Sequence, residues 1–360
     1  MRIVKVSSRV IGSSLARPII SNCGQILIAG NSKISENTIK KFKRFGIKSV
    51  YIKTEVANDI YDIITDEIRK TNIHKFKSFI KGLNLKLDKN RKINIRKEIK
   101  LDKELKEKII EIAWDLIKNI NYSNKIKFVD IKSIEDYLYE HQINICILSV
   151  YMGKKLKFND KKLEKLAVAS LICDFGNLLL DSEKYLSNKI LSKNERKEFE
   201  KHTQLGYDFF HNETDFKITE IIPIIEHHER VNGTGYPRGV HGDQMHIFSK
   251  IIAIADVYDA LTSDRLHRLA FSQSDAVKML MNDAGILYDS EITKLFIENI
   301  IPYPTGTRVL LSTNDIGIVT HEKESVFDLP IVAVLNGKRK RWIDLSKNKE
   351  ISIEKVIMTK

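Results

Sequence analysis

The sequence predicts a mainly α-helical protein that carries a small α+β unit at its N-terminus and a small β appendage at its C-terminus. Residues 133–300 show long apolar periodicities of helical spacing and almost no alternation of the strand type. After residue 302 the pattern changes to short runs of strand-forming residues, while residues 1–58 mix both patterns. We therefore expect four units, which lie at residues 1–58, 59–130, 131–301 and 302–360.

The first two units contain recognisable helix signals. Ser35 has the position of a cap for a short basic helix that runs through Lys43 or Arg44, and residues 48–52 are typical of a strand. Residues 59–130 have the lysine-rich composition of connecting helices. Within them, apolar residues of helical spacing are Leu105, Ile109, Ile112, Ala113, Leu116 and Ile120.

The C-terminal unit is predicted to be a small antiparallel sheet. Its expected strands are Arg308–Leu311, Ile316–Val319, Ile331–Leu335 and Trp342–Leu345. The pair Asn336-Gly337 is a strong hairpin signal between the last two of these strands.

The bulk composition is that of a globular protein with room for two or three domains. Of the 360 residues, 42% are apolar and 30% are charged. The net charge of +13 comes mostly from lysines that are mixed with acidic residues along the chain. We interpret them as solvated helix faces that favour a small anionic ligand, and a nucleic-acid surface is the less favoured alternative.

The cysteines and the N-terminus predict a cytoplasmic protein. Cys23, Cys146 and Cys173 lie far apart and are odd in number, which argues against a disulfide framework and for a reducing compartment. The N-terminus lacks the apolar core of a signal peptide, and no window of 18 residues is free of charge and apolar throughout. We therefore expect no membrane insertion.

The helical unit places a histidine and an aspartate on faces that should be buried. His141 lies on an apolar helical stripe, where a histidine satisfied within the core is the alternative to a ligand. Asp160 is expected to cap the next helix, whose apolar face ends in Asp174. An unpaired carboxylate there costs on the order of several kcal/mol, so metal binding is the simpler interpretation of Asp174.

Three further points along the chain supply similar candidates. His202 precedes Gly206, which lets a neighbouring element approach closely. His227 and His228 end a helix and point about 100° apart, so both reach one cluster only if it lies near the helix end, and the alternative is that they bind different metals. Asp256 lies in a strongly apolar helix and needs a partner, whereas Asp259 is interpreted as an ordinary buried hydrogen-bonding residue. These residues predict a shared site at the centre of the helical unit.

The turn after the paired histidines and the ligand types indicate the chemistry. Gly233 and Gly235 give a turn whose backbone N–H groups can face an anion. Mixed imidazole and carboxylate ligands suit Fe, Mn, Zn or Ni. An aspartate that bridges two such metals supports activation of water and neutralisation of a phosphoryl oxygen, which is the chemistry of phosphoester hydrolysis.

Three stretches resemble the HD-GYP family, the HD-domain phosphohydrolases that cleave cyclic di-GMP. Residues 227–237 nearly reproduce the family signature and include its tripeptide Gly235-Tyr236-Pro237. Residues 254–265 also match closely, and residues 136–141 are similar to the helix that carries the first family histidine. The resemblance covers about residues 133–300 and implies an all-helical bundle with the metals at its centre.

The resemblance also implies a role for each matching residue. The implied metal ligands are His141, Asp174, His202, His227, His228 and Asp256. Asp174 would bridge the metals and serve as the catalytic carboxylate. Substrate contacts are implied for Lys250, Arg265 and Arg268, and Tyr236 would lie at the edge of the pocket.

The chain departs from the family pattern at the pair that gives the family its name. The family has His-Asp, a hydrophobic residue, glycine and lysine, where this chain has Cys173-Asp174-Phe175-Gly176-Asn177. Cys173 is therefore a candidate metal ligand in place of histidine, and Asn177 is a candidate substrate contact in place of lysine. Tyr137 stands where three-metal members have glutamate, so a third metal is not expected.

Two functions remain open on the sequence. The first is a metal-dependent phosphodiesterase that hydrolyses cyclic di-GMP to pGpG or GMP with a metal pair, Fe or Mn before Zn or Ni, and with weakened activity. The second is a degenerate member that holds a single metal and binds cyclic di-GMP or a partner protein without turnover. Besides the cyclic dinucleotide, candidate partners are a diguanylate cyclase, another signalling protein and a second copy of the chain, but not nucleic acid.

Overall fold

The computed structural model describes most of the chain. The described residues are 2–20, 26–45, 47, 49–53, 63–83, 100–127, 137–180, 191–263, 270–323, 325, 327–336 and 339–357. They form a mainly helical protein with a small α+β unit before the helices and a five-stranded antiparallel sheet after them, as the sequence predicts.

The N-terminal unit has two short antiparallel strand pairs and one helix. Strand β1 (Arg2–Lys5) pairs with β4 (Ser49–Ile52), and β2 (Ile19–Ile20) pairs with β3 (Ile26–Ile28). Helix α1 (Glu36–Arg44) begins at the predicted cap, because the Ser35 hydroxyl accepts the N–H of Thr38. The buried core of this unit is Val4, Val10, Leu15, Ile34, Ile39, Phe42, Val50 and Ile52.

Two helices connect this unit to the rest of the protein. Helix α2 (Asp66–Gly82) and helix α3 (Lys100–Asn119) pack against each other and against the helical bundle. All six predicted apolar residues of the second segment are buried, and they belong to the same hydrophobic cluster as the bundle. The division into four units stays a prediction, since α2 and α3 share their core with the helices that follow.

The bundle surrounds one central helix. Helix α4 (Tyr137–Lys155) is buried from Glu140 to Gly153, which is the pattern of a helix covered on all sides. The helices that follow are α5 (Asp160–Ile172), α6 (Lys193–Glu200), α7 (His202–Glu213), α8 (Ile218–Glu226), α9 (Ile247–Leu261), α10 (Gln273–Asp283) and α11 (Ser290–Glu298).

One helix start differs from the sequence prediction. The cap of α5 is Asn159, whose side-chain oxygen accepts the N–H of Lys162 at 2.9 Å. Asp160 is instead the first residue of the helix, where its carboxylate faces the positive end of the helix dipole. The prediction of Asp160 as the cap was therefore wrong by one residue, because asparagine and aspartate cap helices about equally well.

The C-terminal sheet has the strand order β8-β7-β6-β5-β9. The strands are β5 (Arg308–Leu311), β6 (Ile316–His321), β7 (Ile331–Asn336), β8 (Arg339–Asp344) and β9 (Ile353–Val356). Asn336 pairs with Arg339 at the end of the predicted hairpin, although Gly337 itself lies outside the described residues. The last strand was not predicted, because Ile353 and Val356 are separated by charged residues and show no clear alternation.

Within the part of the chain that the structure describes, no helix combines the length and the apolar character that a bilayer span needs.

Candidate metal centre

The predicted histidines and aspartates are carried to the interior by different helices. His141 lies in the first turns of α4, Asp174 follows α5, and His202 is the first residue of α7. Residues 227–228 follow α8, and Asp256 lies within α9. Most of these side chains therefore extend from helix ends, where the backbone changes direction and several elements can meet.

Two glycines allow the segment after Asp174 to contact α7 directly. A Cβ atom at Gly176 would lie 1.8 Å from the backbone oxygen of His202, which is far inside van der Waals contact. Gly206 lies on the other side of this contact, and a Cβ there would be 3.0 Å from the Gly176 nitrogen. Close approach at Gly206, which the sequence predicted, thus brings Asp174 and His202 together.

The side chains form two groups that could each hold a metal ion. The first consists of Asp174, His202, His227 and His228, and the second of His141, Asp174 and Asp256. Within each group the candidate ligand atoms lie within 4.8 Å of one another. Asp174 belongs to both groups, so one carboxylate joins them.

The first group contains two imidazole nitrogens that face the same carboxylate oxygen. The Nδ1 atom of His202 lies 2.8 Å from the carbonyl of Phe199, and Nδ1 of His227 lies 3.0 Å from the carbonyl of Pro223. Because a carbonyl only accepts, each Nδ1 carries the hydrogen, and Nε2 of a neutral ring is a lone pair. Both Nε2 atoms lie 3.3 Å from Oδ1 of Asp174.

This arrangement is repulsive unless a cation or a proton lies between the atoms. In the described residues, Nε2 of His202 is fully buried and makes no well-formed hydrogen bond. Metal binding satisfies such lone pairs, and backbone carbonyls commonly orient metal-binding imidazoles through the other nitrogen. The residues of the first group therefore fit a divalent transition metal.

The second group is organised by Asp259. Nδ1 of His141 lies 2.5 Å from Oδ2 of Asp259, while its Nε2 lies 3.0 Å from Oδ1 of Asp256 and 3.7 Å from Oδ2 of Asp174. Asn144 donates to the other oxygen of Asp259 at 3.0 Å. A carboxylate on Nδ1 fixes the ring and leaves Nε2 for a metal.

Burial and neighbouring charges set the protonation of the centre. Burial raises the pKa of Asp174, but its contacts with His202 and His227 outweigh this effect and hold the pKa well below its usual value. Burial, together with the charges of His227 and His202, holds the pKa of His228 well below that of a free histidine. Burial lowers the pKa of His227, but its contact with Asp174 and the charge of Asp256 outweigh burial and raise it. Asp174 and His228 therefore have the protonation forms that bind metals.

Cys173 lies outside both groups, and its role as a replacement for a histidine ligand stays a prediction. Its Sγ lies 3.3 Å from the carbonyl oxygen of Ser170, to which the thiol can donate. Burial, reinforced by the charges of Asp174 and Asp256, raises the pKa of the thiol well above its usual value. We leave Cys173 out of the proposed ligand set, because a protonated thiol is a poor metal ligand.

The predicted substrate contacts differ in how they are placed. The ring centroid of Tyr236 lies 4.8 Å from that of His228. Asn177 is buried, and its Oδ1 has no hydrogen-bond partner in the described part of the chain. Lys250 lies 3.0 Å from Asp289 in an ion pair, which engages its charge within the protein. Arg265 and Arg268 lie outside the described residues.

Sequence reasoning missed two features of the site. Asp259 was correctly expected to be a buried hydrogen-bonding residue, but its partner His141 was not identified; the available signal was its position one turn after Asp256 on the same helix. The anion contact expected at Gly233 and Gly235 stays a prediction, whereas the carboxylate of Glu229 accepts the N–H groups of Arg238 and Gly239 a few residues later. No pattern in the sequence indicated this internal partner.

The contact between Asp259 and His141 leads to a prediction. We expect Asp259→Ala to weaken metal binding about 10- to 100-fold, because the His141 ring loses the group that orients it. Isothermal titration with Mn²⁺ measures the effect. The control is Asp275→Ala, which removes a carboxylate engaged by Ser272 at the start of α10. Equal affinities of wild type and Asp259→Ala would contradict the orienting role.

Comparisons with known proteins find similarity over the same part of the chain. The model of the HD domain matches residues 129–292. A cyclic di-GMP phosphodiesterase of Pseudomonas aeruginosa is 25% identical over 216 residues, which cover 60% of this chain and 52% of that protein. A cyclic di-GMP phosphodiesterase of Borreliella burgdorferi is 26% identical over 234 residues, or 64% and 60% of the two chains.

A further relative carries a different name. A 3'3'-cGAMP-specific phosphodiesterase of Vibrio cholerae is 29% identical over 170 residues, which cover 46% of this chain and 35% of that protein. The chain thus spans about half the length of the curated relatives that it matches.

Proposed function

We propose that the protein is a metal-dependent phosphodiesterase of the HD-GYP type that hydrolyses cyclic di-GMP, on the premise that residues 129–292 match the model of the HD domain and that two relatives are named cyclic di-GMP phosphodiesterases. The observation that carries the proposal is the pair of ligand groups that share Asp174. A shared carboxylate is what a catalytic centre with two neighbouring metals needs.

The proposed ligands divide between the two groups. His202, His227 and His228 would hold one metal, and His141 with Asp256 would hold the other. Asp174 would bind both. This mixture of imidazole and carboxylate supports Fe or Mn as the metal, with Zn or Ni as alternatives of the same ligand preference.

The residues of the centre would act by binding, orienting and holding charge. A metal pair would supply an activated water and would neutralise the phosphoryl charge as a P–O bond to ribose breaks. Asp174 keeps its charge at neutral pH because its pKa is lowered despite burial, so it can hold both metals. The carbonyl of Phe199 and the carboxylate of Asp259 fix the rings of His202 and His141.

The proposed substrate rests on the names of the relatives and on Asn177 near the candidate metal centre. Two of the relatives are named for cyclic di-GMP and one for 3'3'-cGAMP, which supports a cyclic dinucleotide as the substrate class. Asn177 can donate a hydrogen bond to a phosphoryl oxygen but brings no positive charge. We therefore propose that hydrolysis is slow compared with a centre that has lysine at this position.

The proposal is tested with the purified full chain. We expect incubation with cyclic di-GMP and Mn²⁺ or Fe²⁺ to yield linear pGpG, followed by chromatography, and we expect removal of metal with EDTA to abolish the product. A parallel reaction with 3'3'-cGAMP tests the choice within the substrate class. Binding of cyclic di-GMP without any product would instead support the degenerate, non-hydrolysing alternative.

A further inference from the structure

The turn that carries Tyr236 lies directly over the candidate metal centre. The ring of Tyr236 is half-buried, and its centroid lies 4.8 Å from that of His228 and 6.4 Å from that of His202. The next two residues, Pro237 and Arg238, are exposed. Tyr236 thus lies beside the imidazoles of the first group, next to exposed residues of the same turn.

The carboxylate of Glu229 holds this turn in place. Glu229 is fully buried, and its Oε1 accepts the backbone N–H of Arg238 at 2.7 Å and that of Gly239 at 3.2 Å. Hydrogen bonds from backbone N–H groups to an ionised carboxylate are among the stronger ones in proteins. The residue adjacent to His228 therefore fixes the backbone just after Tyr236.

Other contacts hold the same turn close to the last residues of α8 and the residues that follow it. The N–H of Tyr236 donates to the carbonyl of His228 at 3.3 Å. Gly235 lies so close to the backbone of Glu229 that a Cβ atom would be 2.3 Å from its Cα. The side chain of Arg238 donates to Glu226 at 2.6 Å, and Glu226 is itself buried. The position of Tyr236 is thus determined by a small set of contacts to backbone groups and to two buried carboxylates.

We propose that Glu229 is a positioning residue, whose carboxylate holds the turn at residues 235–239 so that Tyr236 forms the wall of the pocket against which the cyclic dinucleotide binds. The inference rests on the proposed function for the identity of the ligand. Glu229 belongs to neither ligand group, so it acts on the substrate side of the centre and not on the metals. A tyrosine ring held in this way offers a flat face on which a purine base can stack.

The side chain of Glu229 also indicates which replacement should preserve its role. Only Oε1 accepts the two N–H groups, while Oε2 is buried without a hydrogen-bond partner among the described residues. Glutamine keeps an acceptor oxygen of the same reach. Leucine has a similar volume but removes the acceptor of the N–H groups of Arg238 and Gly239, so the turn loses the two hydrogen bonds that hold it.

The experiment compares four variants with the wild type in the full chain. For Glu229→Leu and Gly235→Ala we expect KM for cyclic di-GMP to rise about tenfold or more, with kcat within about twofold and Mn²⁺ affinity unchanged. Glu229→Gln should restore most of the lost affinity. The matched control is Glu220→Leu, because Glu220 is also buried on this part of the chain and accepts the N–H of Lys217 at 2.8 Å.

Two results would overturn the inference. Loss of Mn²⁺ binding in Glu229→Leu would place the residue in the metal centre. A loss of kcat that is as large in Glu229→Gln as in Glu229→Leu would show that the charge of Glu229 takes part in the reaction. Hydrogen exchange separates these failures from failure of the proposed function. If the wild type neither binds nor hydrolyses cyclic di-GMP, the exchange rates of the backbone amides of Tyr236, Arg238 and Gly239 still test the positioning role. Unchanged rates in Glu229→Leu refute that role, and faster exchange supports it.

Discussion

Replacement of Asp174 by asparagine is expected to remove metal from both ligand groups and to lower the hydrolysis of cyclic di-GMP by roughly a thousandfold or more. The size follows from the several kcal/mol that metal ions contribute to transition-state stabilisation, at about 1.4 kcal/mol for each factor of ten. Asp174 is the residue common to both groups, so its loss affects every candidate metal position at once.

The structure explains why asparagine cannot substitute. The amide removes the negative charge that Nε2 of His202 and Nε2 of His227 face at 3.3 Å. One oxygen of the carboxylate serves these two rings, and the other lies 3.7 Å from His141. An amide presents a single oxygen, so one of the two ligand groups must lose its oxygen ligand.

Metal content gives the clearest measurement of this effect. Elemental analysis of Asp174→Asn should find no retained transition metal, whereas Asp256→Asn should lose metal from the second group alone. Asp208→Asn, an exposed carboxylate on α7, is the control and should match the wild type. Wild-type metal content in Asp174→Asn would mean that the ions bind elsewhere.

The second large effect is a gain of activity. We expect the combined change Cys173→His and Asn177→Lys to raise the rate of cyclic di-GMP hydrolysis about 100-fold. The HD-GYP pattern has histidine and lysine at these positions, and a preorganised charge at the developing phosphoryl anion is worth about 100- to 1,000-fold in comparable sites. Asn177 already has an unpartnered oxygen within the described structure, so no internal hydrogen bond from that oxygen is lost.

The single variants separate the two contributions. Asn177→Lys alone should increase kcat and leave metal affinity unchanged, because the residue belongs to neither ligand group. Cys173→His alone should tighten metal binding, measured by titration with Mn²⁺. The imidazole ring is larger than the thiol and must fit where Cys173 is fully buried, which lowers the stability of the variant. Thermal unfolding is therefore measured in parallel. A double variant that folds but is no faster than the wild type would contradict this prediction.

Much of the fold could be predicted because local signals agreed with the final packing. The cap at Ser35 and the apolar spacing of residues 105–120 depend only on neighbours along the chain, and both were confirmed. The prediction failed where two neighbouring residues are about equally good helix caps, as at Asn159 and Asp160. It also failed for β9, whose residues form a strand because they pair with β5 and not because of their own pattern.

The site could be predicted only in part for a similar reason. Buried histidines and aspartates in apolar helices are unusual enough to be recognised without a structure. Partner choice is different, because Asp259 meets His141 only after distant segments have packed, and Glu229 meets Gly239 only through the path of the turn between them. Lys250 could not be assigned either, since its partner Asp289 lies on another part of the chain.

The shared hydrophobic cluster of α2, α3 and the bundle limits how the protein can be shortened. A fragment that begins at residue 131 would leave the partners of Ile109, Ile112 and Leu116 facing water, although all three are almost completely enclosed in the intact chain. Apolar surface of that extent promotes self-association. A fragment that folds on its own should therefore begin before Ile63. Fragments that are cut at the boundaries of the HD domain should precipitate.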